Sequence, residues 1–222
     1  MVFDSGLTDG GPWRRHRNVF CQGETAMQAF KNFTGLAAPM DRSNIDTDQV
    51  IPKQFLKAVV RSGLGKGLFY DWRNQPDKDY VLDQPRFKGA SILVSRANFG
   101  CGSSREHAVW ALADFGFKAV IATSFADIFR NNCLKNGFLA IILKPEEVEA
   151  IFQAIKSHDG YRLTVDLAGQ KVSDEFGWSA HFDIDPFPKK YLLEGLDDVA
   201  LTLQHEKDIT AYENSHSLPY RL

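Results

Sequence analysis

Ser103, Ser104 and Arg105 stand in the run FGCGSSREH at 99–107, between a β-rich stretch and an amphipathic one. Gly100 and Gly102 allow a sharp turn there, which predicts that the two serines sit beside the first free amides of a helix. Those amides and the helix dipole favour negative charge, and Arg105 can hold a carboxylate in a fork. The chemistry implied is anion binding, with Ser103 exposed enough to move a proton. A serine base needs help, because its alkoxide is strongly disfavoured in free solution; positive charge and oriented amides must supply it. A hydrolase nucleophile is a poorer reading, since the G-x-S-x-G elbow is absent and no spacing aims an Asp/His pair at Ser103. GCGSSR also lacks the Gly-Lys-Ser/Thr end of a phosphate-binding loop.

A structural reading competes with the chemical one. Ser103-Ser104-Arg105-Glu106 fits the S-x-x-E capping box, with Ser103 capping the helix and Glu106 returning a bond to the cap. If Ser104 is the cap instead, Ser103 is the better-exposed group. His107 needs no catalytic explanation at a helix start. Asp46 and Asp48, in NIDTDQVIP at 44–52, could bind a metal, but clustered third ligands are missing and turn capping explains them as well. Lys53 and Lys57 could pair with a carboxylate or simply be solvated.

The elements that must position these residues are legible around them. Ser91 to Phe99 starts as a strand. Ala108, Val109, Ala111, Leu112 and Phe115 repeat at three and four residues, as one helical face does, and Gly116 stops them. A strand over 118–125, a helix over 126–135, a buried strand over 138–143 and a helix over 146–155 follow. Tyr161 to Leu167 alternates like a half-exposed strand. Asp183 to Pro188 is turn-rich and precedes the apolar positions Tyr191, Leu192, Leu196, Val199 and Leu203. These elements predict an α/β fold, a mixed sheet with flanking helices. Residues 61–71, RSGLGKGLFYD, carry three alternating glycines and are the candidate lid or specificity loop. Residues 1–26 are Gly-rich and irregular, so the domain is expected to run 27–222 behind a flexible N-terminal extension.

Composition narrows the function classes. The 222 residues carry 26 Lys and Arg against 28 Asp and Glu, a net charge of -2, which disfavours a general nucleic-acid surface. The local cluster at Arg14, Arg15, His16 and Arg17 lies in the N-terminal extension. No apolar run is long enough for a membrane span and no secretory pattern opens the chain, so cytoplasm is the expected compartment. Cys21, Cys101 and Cys133 are few and far apart, giving neither a disulfide framework nor the grouped thiolates of a cluster or zinc site; no metal is expected in this chain.

NIDTDQVIP at 44–52, FGCGSSREHAVWAL at 99–112 and LEGLDDVALTL at 193–203, in this order and spacing, resemble the small subunit of 3-isopropylmalate dehydratase, in the aconitase superfamily. The likeness runs from Met27 to the C-terminal region. It implies a swivelling β/β/α domain, a C-terminal extension and a larger partner subunit holding a 4Fe-4S cluster that acts as a Lewis acid. It further implies a place in leucine biosynthesis: 2-isopropylmalate loses water to give isopropylmaleate, and water returns in the other orientation to give 3-isopropylmalate. Carried over residue by residue, Ser103 resembles the base, and Ser104 and Arg105 its carboxylate-binding neighbours. Asp48 resembles a residue organising charge or hydrogen bonds. Phe55 and Leu56, with the 61–71 loop, are candidates for apolar contact with the isopropyl group. Two alternatives stay open: the small subunit of a homoaconitase or related hydro-lyase, and a non-enzymatic anion-binding assembly module.

Overall fold

A computed structural model describes residues 27–57, 61–75 and 80–216. In chain order it contains β1 (Phe33–Met40), the one-turn helices α1 (Thr47–Val50) and α2 (Tyr70–Arg73), β2 (Ile92–Ser95), α3 (His107–Phe115), β3 (Ala119–Ala122), α4 (Asp127–Lys135), β4 (Leu139–Ile142) and α5 (Pro145–Ser157). Then come β5 (Arg162–Asp166), β6 (Lys171–Ser173), β7 (Ser179–His181), α6 (Pro186–Glu194), α7 (Asp198–Leu203) and α8 (Glu206–Ser215). Among the described residues the strands form one sheet in the order β4-β3-β2-β1-β5-β6-β7. β1 to β4 pair in parallel, and β5 to β7 continue antiparallel from the other side of β1. This is the α/β fold with a mixed sheet and flanking helices that the residue pattern predicts.

Each strand follows from its surroundings. Every residue of β2 and β3 is buried, so both read as continuous apolar runs, the pattern of parallel strands covered on two faces. β5 lies toward the antiparallel edge and alternates buried with less buried residues. α5 buries Val148, Ile151, Phe152 and Ile155 and lays that face against β1 and β2. β1 changes partner midway: 33–36 pair with β5, while 37–40, which include Pro39, pair with β2. A proline lacks the donor for a two-sided ladder, and this half of the strand has a partner on one side only.

The 44–52 segment, with turn capping expected of its acids, contains a helical turn, α1, which Asp46 caps through the Gln49 amide. Two local expectations need correction. The Asp183 to Pro188 junction is partly helical, since Pro186 opens α6. The middle of the 61–71 stretch is packed rather than free: Leu64, Leu68 and Phe69 are buried, and the Gly65 N–H donates to Asp114 Oδ2 at 2.7 Å. A Cβ on Gly65 would stand 2.8 Å from the Phe115 backbone nitrogen, so only glycine allows this approach to α3. The proposed extension 1–26, with its basic cluster and Cys21, lies outside the described residues. Among those described, no helix is long and apolar enough to cross a membrane.

One carboxylate gives the fold a pH dependence. The Gly169 N–H, and then the Asn32 amide at 2.8 Å, hold Asp166 below the usual carboxylate range. A depressed folded-state pKa contributes stability at pH above the ordinary aspartate value, and that contribution disappears as pH falls through the lowered one. Asp166→Asn is therefore expected to flatten the acid side of the stability curve. Urea unfolding at stepped pH checks it: the variant and the parent should converge in acid and separate toward neutral pH.

Candidate active site

The site lies where the loops leaving the carboxyl ends of β1 and β2 meet, the usual place for ligands in an open parallel sheet. Asp46 and Cys101 form a parallel bridge, and Phe99 forms another with Phe125. The Gly100 N–H donates to Ile45 O at 2.7 Å, and the Thr47 N–H donates to Cys101 O at 2.9 Å. α1 and the 99–106 loop are thus stitched backbone to backbone. Beneath them Phe99 is fully buried, edge-on to Phe129 at 5.2 Å. Gly100 has φ 77 and would put a Cβ 2.2 Å from the Phe129 ring, so glycine is needed both for the turn and for this contact.

On this base, two consecutive residues of α1 hold two residues of the loop. Thr47 is 1% exposed, and its Oγ1 lies 2.9 Å from Ser103 Oγ, where either hydroxyl can donate. It also donates to the Ser103 carbonyl at 3.2 Å and accepts from the Ser103 N–H at 3.3 Å. Asp48 makes an ion pair with Arg105, whose side chain is 19% exposed against 47% for the carboxylate. A partly exposed pair of this kind adds about 0–1 kcal/mol to stability, so its main effect is to aim the guanidinium. Ser103 and Ser104 are both exposed.

The capping box expected at 103–106 does not form. α3 begins at His107 with Glu106 at its cap position and no side-chain cap, so neither Ser103 nor Ser104 is the cap. The Ala108 N–H meets Arg105 O at 3.4 Å and the Val109 N–H meets Glu106 O at 2.9 Å, so these amides of the first turn face the loop's own carbonyls. Glu106 has a different partner: its Oε1 accepts from Asn136 Nδ2 at 2.7 Å, while Asn136 Oδ1 accepts from Trp110 Nε1 at 2.8 Å. His107 stacks obliquely on Trp110, with ring centres 4.6 Å apart.

Asp48, Ser103 and Arg105 are thus brought together, with Ser104 next to them in the chain. Phe55 and Leu56 follow α1 and pack against the core; the Phe55 ring covers Gly67 and meets Tyr70 edge-on at 5.2 Å. Sequence reasoning missed the separate part of Thr47, which stood between two more conspicuous acids, and the Asn136 support, which comes from the end of α4 and leaves no local signal. Asp46 caps α1, and among the described residues no group of three or more His, Cys, Asp or Glu could hold a metal ion. Cys133 is buried, which pushes its thiol pKa up and disfavours the thiolate that an iron-sulfur cluster requires. The donor set of the described residues does not fit such a cluster. Beside the loop, a cleft of about 590 Å³ is lined by Arg61, Glu106, Asn136, Tyr191 and Asp198 among others.

Comparison with known proteins agrees with this architecture. Residues 27–146 match the Aconitase C-terminal domain, residues 149–186 match LeuD_N, and residues 198–218 match the C-terminal domain of the 3-isopropylmalate dehydratase small subunit. The chain is 53% identical over 203 residues to a 3-isopropylmalate dehydratase small subunit from Magnetococcus marinus, covering 86% of this chain and 95% of that one. It is 54% identical over 200 residues to the protein of the same description from Dechloromonas aromatica, covering 84% and 94%. A crystal structure of 3-isopropylmalate dehydratase (leuD) from Methanocaldococcus jannaschii superposes with a TM-score of 0.61 at 26% identity, covering 82% of this chain and 99% of that one. With the Ser103–Arg105 loop built on a matching fold and near-full-length identity above one half, the chain belongs to the 3-isopropylmalate dehydratase small-subunit family of the aconitase superfamily.

Proposed function

We propose that this chain is the small subunit of a two-subunit hydro-lyase of leucine biosynthesis, interconverting 2-isopropylmalate and 3-isopropylmalate through isopropylmaleate. The observation that carries the reading is the exposed Ser103 beside an Arg105 aimed by Asp48. Arg105 and Ser104 bind a substrate carboxylate, and the adjacent Ser103 takes the proton from the neighbouring carbon. The electron pair of that C–H bond becomes the double bond as hydroxide leaves the other carbon; water then returns in the opposite orientation. The larger partner subunit would hold the 4Fe-4S cluster, which would supply a Lewis acid for the departing hydroxyl. Closure of the two chains over the substrate excludes bulk water and strengthens the charge interactions around Arg105.

Specificity for the isopropyl group is assigned to Phe55, Leu56 and the 61–71 stretch. Its support is the apolar composition of that region, where Phe55, Leu56, Leu64, Leu68 and Phe69 are buried or partly buried. The test is co-expression with the large subunit, anaerobic purification and turnover of isopropylmalate, homoaconitate and citraconate. Preference for isopropylmalate supports the reading; preference for homoaconitate assigns the related hydro-lyase instead. No partner and no turnover would leave an anion-binding assembly module. Arg105→Lys in the same complex is expected to raise KM about tenfold, since Lys keeps the charge but loses the fork, a change on the order of one charge-assisted hydrogen bond. Steady-state kinetics check it, and an unchanged KM removes Arg105 from carboxylate binding.

A further inference from the structure

Thr47 is an almost fully buried polar residue that reaches three atoms of Ser103 at once. Its Oγ1 lies 2.9 Å from Ser103 Oγ, 3.2 Å from Ser103 O and 3.3 Å from Ser103 N, while the residue itself is 1% exposed. A hydroxyl has one proton and two lone pairs, so not every contact can use the same polarity at the same time. With its proton on the Ser103 carbonyl, Thr47 accepts both the Ser103 N–H and the Ser103 O–H. The serine proton is then held inward and the serine lone pairs face outward. Without its proton, Ser103 becomes an alkoxide, and rotation of the Thr47 O–H through one torsion turns it into a donor to that charge. Thr47 itself is almost wholly shielded from solvent, so its hydroxyl is left with these partners rather than with water.

We infer that Thr47 is the positioning residue of the serine base, a switchable hydroxyl that orients the Ser103 proton in the resting state and donates to the Ser103 alkoxide when it forms. This deepens the proposed function and rests on Ser103 being the base. Asp48 does the corresponding work for Arg105, so one capped helical turn orients both the base and the anion clamp. The step balances with solvent as the only co-reactant: the Ser103 proton leaves to water as the alkoxide forms, the alkoxide takes the substrate proton to become a hydroxyl while hydroxide leaves the other carbon, and Thr47 changes from donor to acceptor without losing its own proton.

The experiment uses the complex reconstituted with its large subunit and compares Thr47→Val, Thr47→Ser and Ser103→Ala. Thr47→Val retains the shape and removes the hydroxyl. It is expected to lower kcat about 10²-fold, the scale of one lost donor to a developing oxyanion, with KM nearly unchanged and the acid limb of the pH–rate profile moved to higher pH. Thr47→Ser is expected to restore both kcat and the profile, which a merely structural role for the methyl group would not do. If the valine chain does not pair with its partner, Thr47→Cys, whose S–H is a weak donor and acceptor, is read by the same three measures. Parental kcat and pH profile in Thr47→Val, or in Thr47→Cys where that variant decides, with an inactive Ser103→Ala, overturn the inference and leave the serine base standing. An active Ser103→Ala overturns both.

Discussion

Replacing Ser103 with alanine is expected to lower kcat of the reconstituted enzyme by about 10²–10⁴-fold, the range of a positioned acid–base group, while assembly and the melting temperature stay close to parental. The stability half of this expectation follows from the geometry. Ser103 does not cap α3, and its side chain is exposed, so loss of the hydroxyl leaves no helix end unsatisfied. Thr47 retains the Ser103 backbone N–H and carbonyl as partners, so it is not left as a buried orphan. A large fall in kcat without a fall in stability separates a base from a structural serine. Parental turnover in a complex shown by sedimentation to be fully assembled would refute the assignment.

Gly100→Ala is expected to have the largest effect on stability, a loss of roughly 2–5 kcal/mol from combined left-handed strain and overpacking. The new methyl would stand 2.2 Å from Cγ of Phe129, whose ring is fully enclosed and edge-on to Phe99. For a chain of this size, that loss corresponds to a melting midpoint lower by roughly 5–20 °C. Calorimetry checks it, and a double variant distinguishes its two causes. Phe129→Ala in the Gly100→Ala background should cost less than Phe129→Ala alone, because there it also removes the clash, while the strain at φ 77 persists. Strict additivity would show that the methyl does not meet Phe129 as the geometry requires.

The parts of the fold legible in the sequence are those with a strong local period. β2, β3 and β4 show as apolar runs between turns, and α3 and α5 as three-and-four repeats whose apolar face is the one buried. β1 was not legible because Gly35 and Pro39 interrupt it and because its two halves serve different neighbours. β6 and β7 have three residues each, too few to show a period. The capping signals teach a more specific lesson. D-x-x-Q at 46–49 and S-x-x-E at 103–106 have the same form, yet only the first makes a box. At the second, the serine hydroxyl meets Thr47 and the glutamate meets Asn136, and these distant partners outcompete the local ones. The Asp48–Arg105 pair joins segments far apart in the chain, so the site's residue types were readable and their mutual aim was not.

The bond from the Phe69 N–H to Val50 O, at 2.8 Å, ties the end of α1 to the 61–71 stretch. The same short helix therefore touches the 99–106 loop on one side and the packed 61–71 stretch on the other. Exchanging 61–71 alone for another sequence would replace one side of a joined part and would pull on the helix that contacts Ser103 and Arg105. A chimera that exchanges α1 and that stretch together is expected to keep this bond and its packing, and one that exchanges 61–71 alone to disturb them.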